Sequence, residues 1–363
     1  MKVLLLESFY GGSHKVWADQ LQKIFGDELT LFTMKDRFWK WRMEASGLEF
    51  AKEYSKLNQS FDYILISSIT NVAQFLAFAN VDRTRTKVIL YMHENQICYP
   101  WQSDRTEIDK KRDRHFGFIN IMNCKIVDSI IFNSQFHKTA FINEVKAFLS
   151  VFPDFVPKWD KAEIAAKSEV LGIPLNIKVL LEKSKIENDV PVILWNHRWE
   201  YDKNPELFFQ TLIKLSQKAY KFKLIIIGES YKKKPKIFEC LDKELKSHII
   251  HKGFVESKEA YYRLLMSSDI IAVTSNHEFF GISVVEALSC GVTPLLPNRL
   301  SYPEHINPEL FPEQFYNYDE EFETKLDYIV SNWPRTRCSF ADKMLKYDVS
   351  HLGMQYKAVL NKL

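Results

Sequence analysis

A chain of two α/β domains, each a parallel sheet layered with helices, is predicted by three observations. The first is length: 363 residues exceed what one ordinary hydrophobic core holds, so two domains of roughly 150 to 200 residues are expected. The second is an alternation found in both halves, in which a short apolar run leads into a polar loop and then into a stretch with helical spacing. The third is Asn276–Gly291, NHEFFGISVVEALSCG, which sets Glu278 and Glu286 eight positions apart with Gly281 and Ser283 between them. Two similar Rossmann-like domains facing each other across a cleft is the simplest architecture for these parts. The expected boundaries are a first domain over 1–176, a charged linker over 177–189 and a second domain over 190–336. A tail over 337–363 is expected to form a helix that packs back across the domains.

Composition narrows the class. A hydrophobic fraction of 46% with 14% aromatics implies filled interiors rather than disorder. The net charge of +3 neither demands nor excludes a polyanionic partner, so local placement of Lys and Arg decides. Cys98, Cys124, Cys240, Cys290 and Cys338 are scattered without CxxC spacing, against a disulfide framework or zinc site. The opening MKVLLLESFYGG has too short an apolar run for a signal peptide, and no segment reaches membrane-spanning length. A soluble, cytoplasmic setting without stable membrane association is expected.

In the first half, Val3–Ser8 reads as a buried parallel strand, followed by helical spacing at Val16, Trp17, Leu21, Ile24 and Phe25. Gly11 and Gly12 then sit at the carboxyl edge of the sheet, where open α/β folds bind ligands; adjacent glycines suit a tight turn equally well. His14, in the same turn, is either a polar residue at the helix start or a site residue. Leu29–Met34 is a second strand, and after it Lys35, Arg37, Lys40 and Arg42 interleave with Phe38, Trp39 and Trp41. Cations among flat rings can grip phosphates and stack on bases, or the rings can pack inward while the cations solvate the surface. Phe61–Thr70, Lys87–Asn95 and Asp128–Ser134 repeat the strand-and-loop pattern. His93, Glu94 and Asn95 close one of these runs, where a histidine can orient a sugar hydroxyl or simply be structural. Arg112, Arg114 and His115 lie in a mixed-charge segment as candidate acceptor contacts or a solvated helix face.

The second half restarts with the strand Val190–Trp195 and a helix opened by Asn204 and Pro205. Arg198 and Lys203 flank the intervening loop, where two cations can neutralise a diphosphate. Lys223–Ser230 is the next strand; Gly253 and Phe254 make a turn able to present backbone to a base, and Ser257 starts a helix. Glu278 falls in the loop after the strand Ser268–Ser275, and Glu286 on the helix that follows. A helix beginning near Gly281 would aim its unpaired N–H groups and positive dipole end at an anion. Two acids beside a phosphate site suit a ligand with hydroxyls at both ends of a diphosphate, as in a nucleotide sugar.

With Arg198, Lys203, Glu278 and Glu286 in place, the second half resembles the retaining glycosyltransferases of the GT-B class that include mannosyl and sucrose-type transferases. HEFFGISVVEALSCGVTPLLP matches their signature of two acids separated by seven residues with an FG-type turn. The resemblance implies that Glu278 holds donor-sugar hydroxyls, Glu286 the ribose, and Arg198 and Lys203 the diphosphate. Phe254, Phe279, Phe280, Gly281, Ile282 and Ser283 complete the donor set, with Gly11, Gly12 and His93 contributed by the first half. ESFYGGSH, WKWRM, MHENQICYPW and IIFNSQFH are similar to the tRNA-queuosine mannosyltransferase family over nearly the whole chain. That family implies transfer of mannose from GDP-mannose to the queuosine base in the anticodon of an aspartate tRNA. His14, Lys40, Trp41, Arg42, Asn95 and Arg112 are then the acceptor candidates. No metal-ligand cluster of the DxD type is present, so metal independence is expected and no cofactor beyond the co-substrate. The alternatives are a glycosyltransferase acting on lipid or polysaccharide, and a non-catalytic RNA- or nucleotide-binding protein on the same fold.

Overall fold

The computed structural model describes residues 1–100, 107–218, 220–230 and 234–363. They form two compact units, Met1–Leu175 together with Tyr347–Leu363, and Asn176–Lys346.

The first unit holds β1 (Val3–Tyr10), β2 (Leu29–Lys35), β3 (Tyr63–Ser67), β4 (Lys87–Met92), β5 (Ser129–Phe132) and β6 (Ser168–Val170). Every pairing is parallel, in the order β2-β1-β3-β4-β5-β6. Helices follow the strands, and apolar residues such as Leu4, Leu6, Ile64, Ile66, Leu90 and Phe132 are fully or almost fully buried between the layers. Because β1 pairs with β2 on one side and β3 on the other, the winding reverses at β1, and a crevice opens at the carboxyl ends of β1 and β3.

The second unit repeats the plan with β7 (Val192–Asn196), β8 (Lys223–Ile227), β9 (Ile249–Gly253), β10 (Ile270–Ala272), β11 (Thr293–Pro297) and β12 (Phe315–Tyr316). The parallel order is β12-β11-β10-β7-β8-β9, so its reversal lies between β7 and β10. The helix starts read from sequence carry their caps: the Asn204 side chain accepts from the N–H of Leu207 with Pro205 next in line, and Ser257 accepts from Ala260.

The segment expected as an exposed linker starts instead with the short helix Ile177–Leu181 of the second unit, which buries Ile177 and Leu180. That unit continues to Lys346, and the terminal helix Val349–Asn361 belongs to the first. It lies on the helix Gly12–Phe25, where Trp17 Nε1 donates to Tyr356 Oη at 3.0 Å and Tyr356 in turn donates to the carbonyl of Gly172 at 3.1 Å. No helix among the described residues is long and apolar enough to cross a membrane.

Candidate active site

In the second unit the site residues leave the sheet at the β7/β10 reversal. β7 ends in Asn196 and runs through His197 and Arg198 into a single 3-10 turn, Tyr201–Lys203; β10 runs through the loop carrying Glu278 into the helix Ile282–Ser289. Thr274 Oγ1 donates to the carbonyls of Lys203 (2.8 Å) and Asn204 (3.0 Å), and the Asn276 N–H donates to that of Asp202 at 2.8 Å. These bonds tie the two loops together.

Lys203 is the hub. Its buried ammonium donates to the His277 carbonyl at 2.7 Å and to Glu278 Oε2 at 3.3 Å, and lies 3.1 Å from Asp202 Oδ2. The contact with Asp202 is ionic without hydrogen-bond alignment, since neither Asp202 oxygen has a hydrogen-bond partner. Burial opposes the charge on Lys203, but Glu278 and Asp202 outweigh it and raise the ammonium's pKa. Burial likewise opposes ionisation of Glu278, but Lys203 and the Phe280 N–H pull its pKa down to about 2. His197 and His277 are lowered to about 3 and about 4, first by burial and then by Lys203, and are neutral near pH 7. Arg198 is half exposed and pairs with Glu200 at 3.1 Å.

The helix Ile282–Ser289 opens on Gly281 in the left-handed region (φ 85°), with neither a side-chain cap nor an acid in its first turn. Its positive end is therefore available to an anion. Ile282 and Ser283 are half-buried there. The rings of Phe279 and Phe280 are buried, and their N–H groups are spent on Glu278 Oε1 at 3.1 and 3.4 Å. They shape the loop from beneath. Glu286 is buried, accepts from Tyr261 Oη at 2.8 Å, and has a raised pKa because burial outweighs that bond. Phe254, by contrast, is exposed beside Gly253.

In the first unit the β1/β3 crevice carries Glu7, Ser67 and the Gly11–Gly12 turn. A Cβ on Gly11 would stand 2.1 Å from Asp36 Oδ2 and 2.4 Å from Asp36 Cβ, so any larger residue there would displace Asp36. His14 is not a solvated residue at the helix start: it is buried, with Nδ1 at 3.1 Å from Glu7 Oε2. His93 is buried on top of it, ring centroids 3.9 Å apart. Asn95 is buried too, its carbonyl taken by the N–H groups of Ile97 and Cys98. Its Nδ2 is buried without a hydrogen-bond partner.

The WKWRM stretch divides. Trp39 packs on Phe116, Lys40 pairs with Asp113 at 2.6 Å, and the Arg42 guanidinium donates to the Lys35 carbonyl. Trp41 and Phe38 stand exposed, the latter in the left-handed region (φ 58°) with the Arg37 guanidinium 5.6 Å from its ring. His115 pairs with Glu44 at 3.0 Å. Arg112 falls on the helix Glu107–Ile126, but its side chain lies outside the described residues.

Among the described residues, Glu7, His14 and His93 form one group whose potential metal-ligating atoms all lie within 4.8 Å of one another. The imidazole rings stack with 27° between their planes. Their in-plane lone pairs therefore run side by side and do not meet at one point about 2 Å from both nitrogens, as zinc requires. The group suits proton and hydrogen-bond chemistry better than metal binding.

Sequence reasoning missed Asp202, Glu7 and Tyr261. Asp202 had a local signal as the acid next to Lys203, whereas Glu7 lay inside an apolar strand with nothing to mark it.

Residues 2–175 match the family described as tRNA-queuosine alpha-mannosyltransferase N-terminal, and residues 176–343 match glycosyl transferases group 1. A tRNA-queuosine alpha-mannosyltransferase of Drosophila melanogaster is 34% identical over 99% of this chain and 96% of its own. An uncharacterized 41.2 kDa protein in the cps region of Klebsiella pneumoniae is 26% identical over 66% of this chain and 60% of its own. Among solved structures, sucrose-phosphate synthase of Thermosynechococcus elongatus superposes with a TM-score of 0.73 at 13% identity, covering 100% of this chain and 99% of that one. Anabaena Alr3699/HepE in complex with UDP gives 0.69 at 14% identity, with all of both chains covered. These likenesses establish the GT-B fold, and the sequence matches over both units show that the chain is a glycosyltransferase belonging to the tRNA-queuosine alpha-mannosyltransferase family.

Proposed function

We propose that this protein transfers mannose from GDP-mannose to the queuosine base in the anticodon of tRNA-Asp, with retention at the anomeric carbon. The observation that carries the reading is the Lys203–Glu278 pair beside the uncapped helix start at Gly281, in a chain whose two units both match this family. In the reaction the bond between the anomeric carbon and the diphosphate oxygen breaks, leaving negative charge on GDP and oxocarbenium-like character on the sugar. Arg198, Lys203 and the N–H groups at Ile282 and Ser283 stabilise the departing diphosphate. Glu278, ionised even in acid, accepts from sugar hydroxyls, and Glu286 accepts from the ribose. A queuosine hydroxyl oxygen bonds to the anomeric carbon and its proton passes to the leaving phosphate on the same face. His93 holds a hydroxyl of the reacting sugars. No step needs a metal ion, so turnover in chelator is expected to equal turnover with added manganese.

On the acceptor side, the exposed Trp41 and Phe38 with Arg37 supply stacking faces and charge for an RNA loop. Lys40 and Arg42 support that surface from below through Asp113 and the Lys35 carbonyl. The test is mass spectrometry of nucleosides from queuosine-bearing tRNA incubated with the protein and GDP-mannose, GDP-glucose, UDP-glucose or UDP-galactose. One hexose on queuosine, with GDP-mannose alone, is the expected product. Absence of product, or a different preferred donor, refutes the reading.

A further inference from the structure

The transfer reaction described above leaves the buried carboxylate of Glu7 without a task. Its oxygens are divided between two jobs. Oε1 accepts from the Phe9 N–H at 2.8 Å and from Ser67 Oγ at 3.0 Å, which anchors it between β1 and β3. Oε2 faces two imidazoles, His14 Nδ1 at 3.1 Å and His93 Nε2 at 3.7 Å. A carboxylate can only accept, so His14 Nδ1 carries a proton in that bond.

His93 is gripped by its surroundings. Its ring stacks on His14, meets the edges of Trp17 (4.7 Å) and Tyr91 (4.6 Å), and its carbonyl accepts from Asn133 Nδ2 at 2.9 Å. Both ring nitrogens are nevertheless buried without a hydrogen-bond partner. Buried unpaired groups are uncommon in native proteins, and a catalytic or binding role is one reason they are kept.

We propose that Glu7 and His14 are positioning residues for the glycosyl transfer, a buried pair that fixes the His93 ring so that it can hydrogen-bond a hydroxyl of the reacting sugars. The inference rests on the glycosyltransferase reading, but its first test does not. The charges support the geometry. Burial alone would lower the pKa of His14, but the charge and hydrogen bond of Glu7, aided by Glu94, raise it above the ordinary histidine value. Burial, then the charges of His14 and His137, push His93 well below that value. The groups facing His93 are Glu7 on β1, His14 and Trp17 on the next helix, Tyr91 on β4 and His137 on the helix Gln135–Leu149. Burial keeps the Tyr91 phenol protonated. His93 is thus a neutral imidazole whose Nε2 faces Glu7, which leaves Nδ1 for a sugar hydroxyl.

Histidine NMR of the full chain over about pH 5 to 9, with signals assigned through His14→Asn and His93→Gln, reads the pair directly. His14 is expected to titrate above roughly 6.5, the ordinary histidine value, while His93 stays neutral throughout. Glu7→Gln is expected to lower the His14 titration by about one unit and the kcat of transfer by roughly 100-fold, with donor KM nearly unchanged. Glu7→Asp restores part of both. The proposal is overturned if His14 titrates at or below roughly 6.5 in the unaltered protein. It is equally overturned if folded Glu7→Gln keeps the original kcat. Were the protein to transfer no hexose to tRNA at all, the functional reading would fail while the titration result stood on its own.

Discussion

Lys203 sits between two carboxylates, Asp202 at 3.1 Å and Glu278 at 3.3 Å, buried together with Asp202 while Glu278 is partly buried. Removing one member of a buried ionic cluster leaves the rest uncompensated, which typically costs about 3–5 kcal/mol. Lys203→Ala is expected to destabilise the second unit by that amount at pH 7, measured by urea unfolding. The pH dependence has a definite sign. Glu278 has a depressed pKa of about 2, so the pair's contribution is complete above the ordinary glutamate value of about 4.3 and is lost as pH falls toward 2. The cost of Lys203→Ala should shrink across the same window; a cost that stays constant there would contradict the pairing. The acids and Lys203 were legible in the sequence by their spacing. Asp202 was not singled out, because an acid beside a lysine in a loop is usually solvated, and only its burial gives it significance.

At the scale of elements, the helix Ile282–Ser289 depends on Gly281. Its φ of 85° is one that side chains avoid, whereas the nearest atom to an added Cβ, Glu278 Cγ, is at an ordinary 3.4 Å. Gly281→Ala is therefore expected to act through backbone strain rather than a clash, costing about 1–2 kcal/mol. It should also weaken donor binding by turning the helix start. Isothermal titration with GDP and a urea midpoint check both; unchanged values in each would show that the left-handed turn is dispensable. The helix was predicted from its apolar spacing, and its start from the glycine. By contrast, the aromatic stretch after β2 was ambiguous, because helical phase decides which ring faces out. With the helix beginning at Trp39, Trp39 turns inward and Trp41 outward, and Phe38 is left exposed just before the first turn.

At the scale of the molecule, the chain's last seventeen residues, 347–363, complete the first unit rather than the second. Tyr356 joins Trp17 and the Gly172 carbonyl in a buried chain of hydrogen bonds. Tyr356→Phe leaves that N–H and that carbonyl unpaired, and about 1–3 kcal/mol of destabilisation for each unsatisfied group is expected. Deleting residues 347–363 should lower the unfolding midpoint of the first unit, read by Trp17 fluorescence and hydrogen exchange, while the second unit keeps its own. Equal loss of protection in both units would contradict this division.

Alternation of apolar runs and helical segments, the glycine turns and the paired acids are properties of neighbours in the chain, and local spacing alone determined them. Which strand lies beside which is a different matter. Glu7, Ser67 and His93 converge because β1 pairs with β3 and β3 with β4. Arg198, Lys203 and Glu278 likewise share one unit's site because β7 pairs with β10. Strand order and the burial it creates turn a strand glutamate and two separate histidines into one imidazole with a raised pKa and one with a lowered pKa. That conversion is electrostatic, it depends on exclusion of water, and only the tertiary structure decided it.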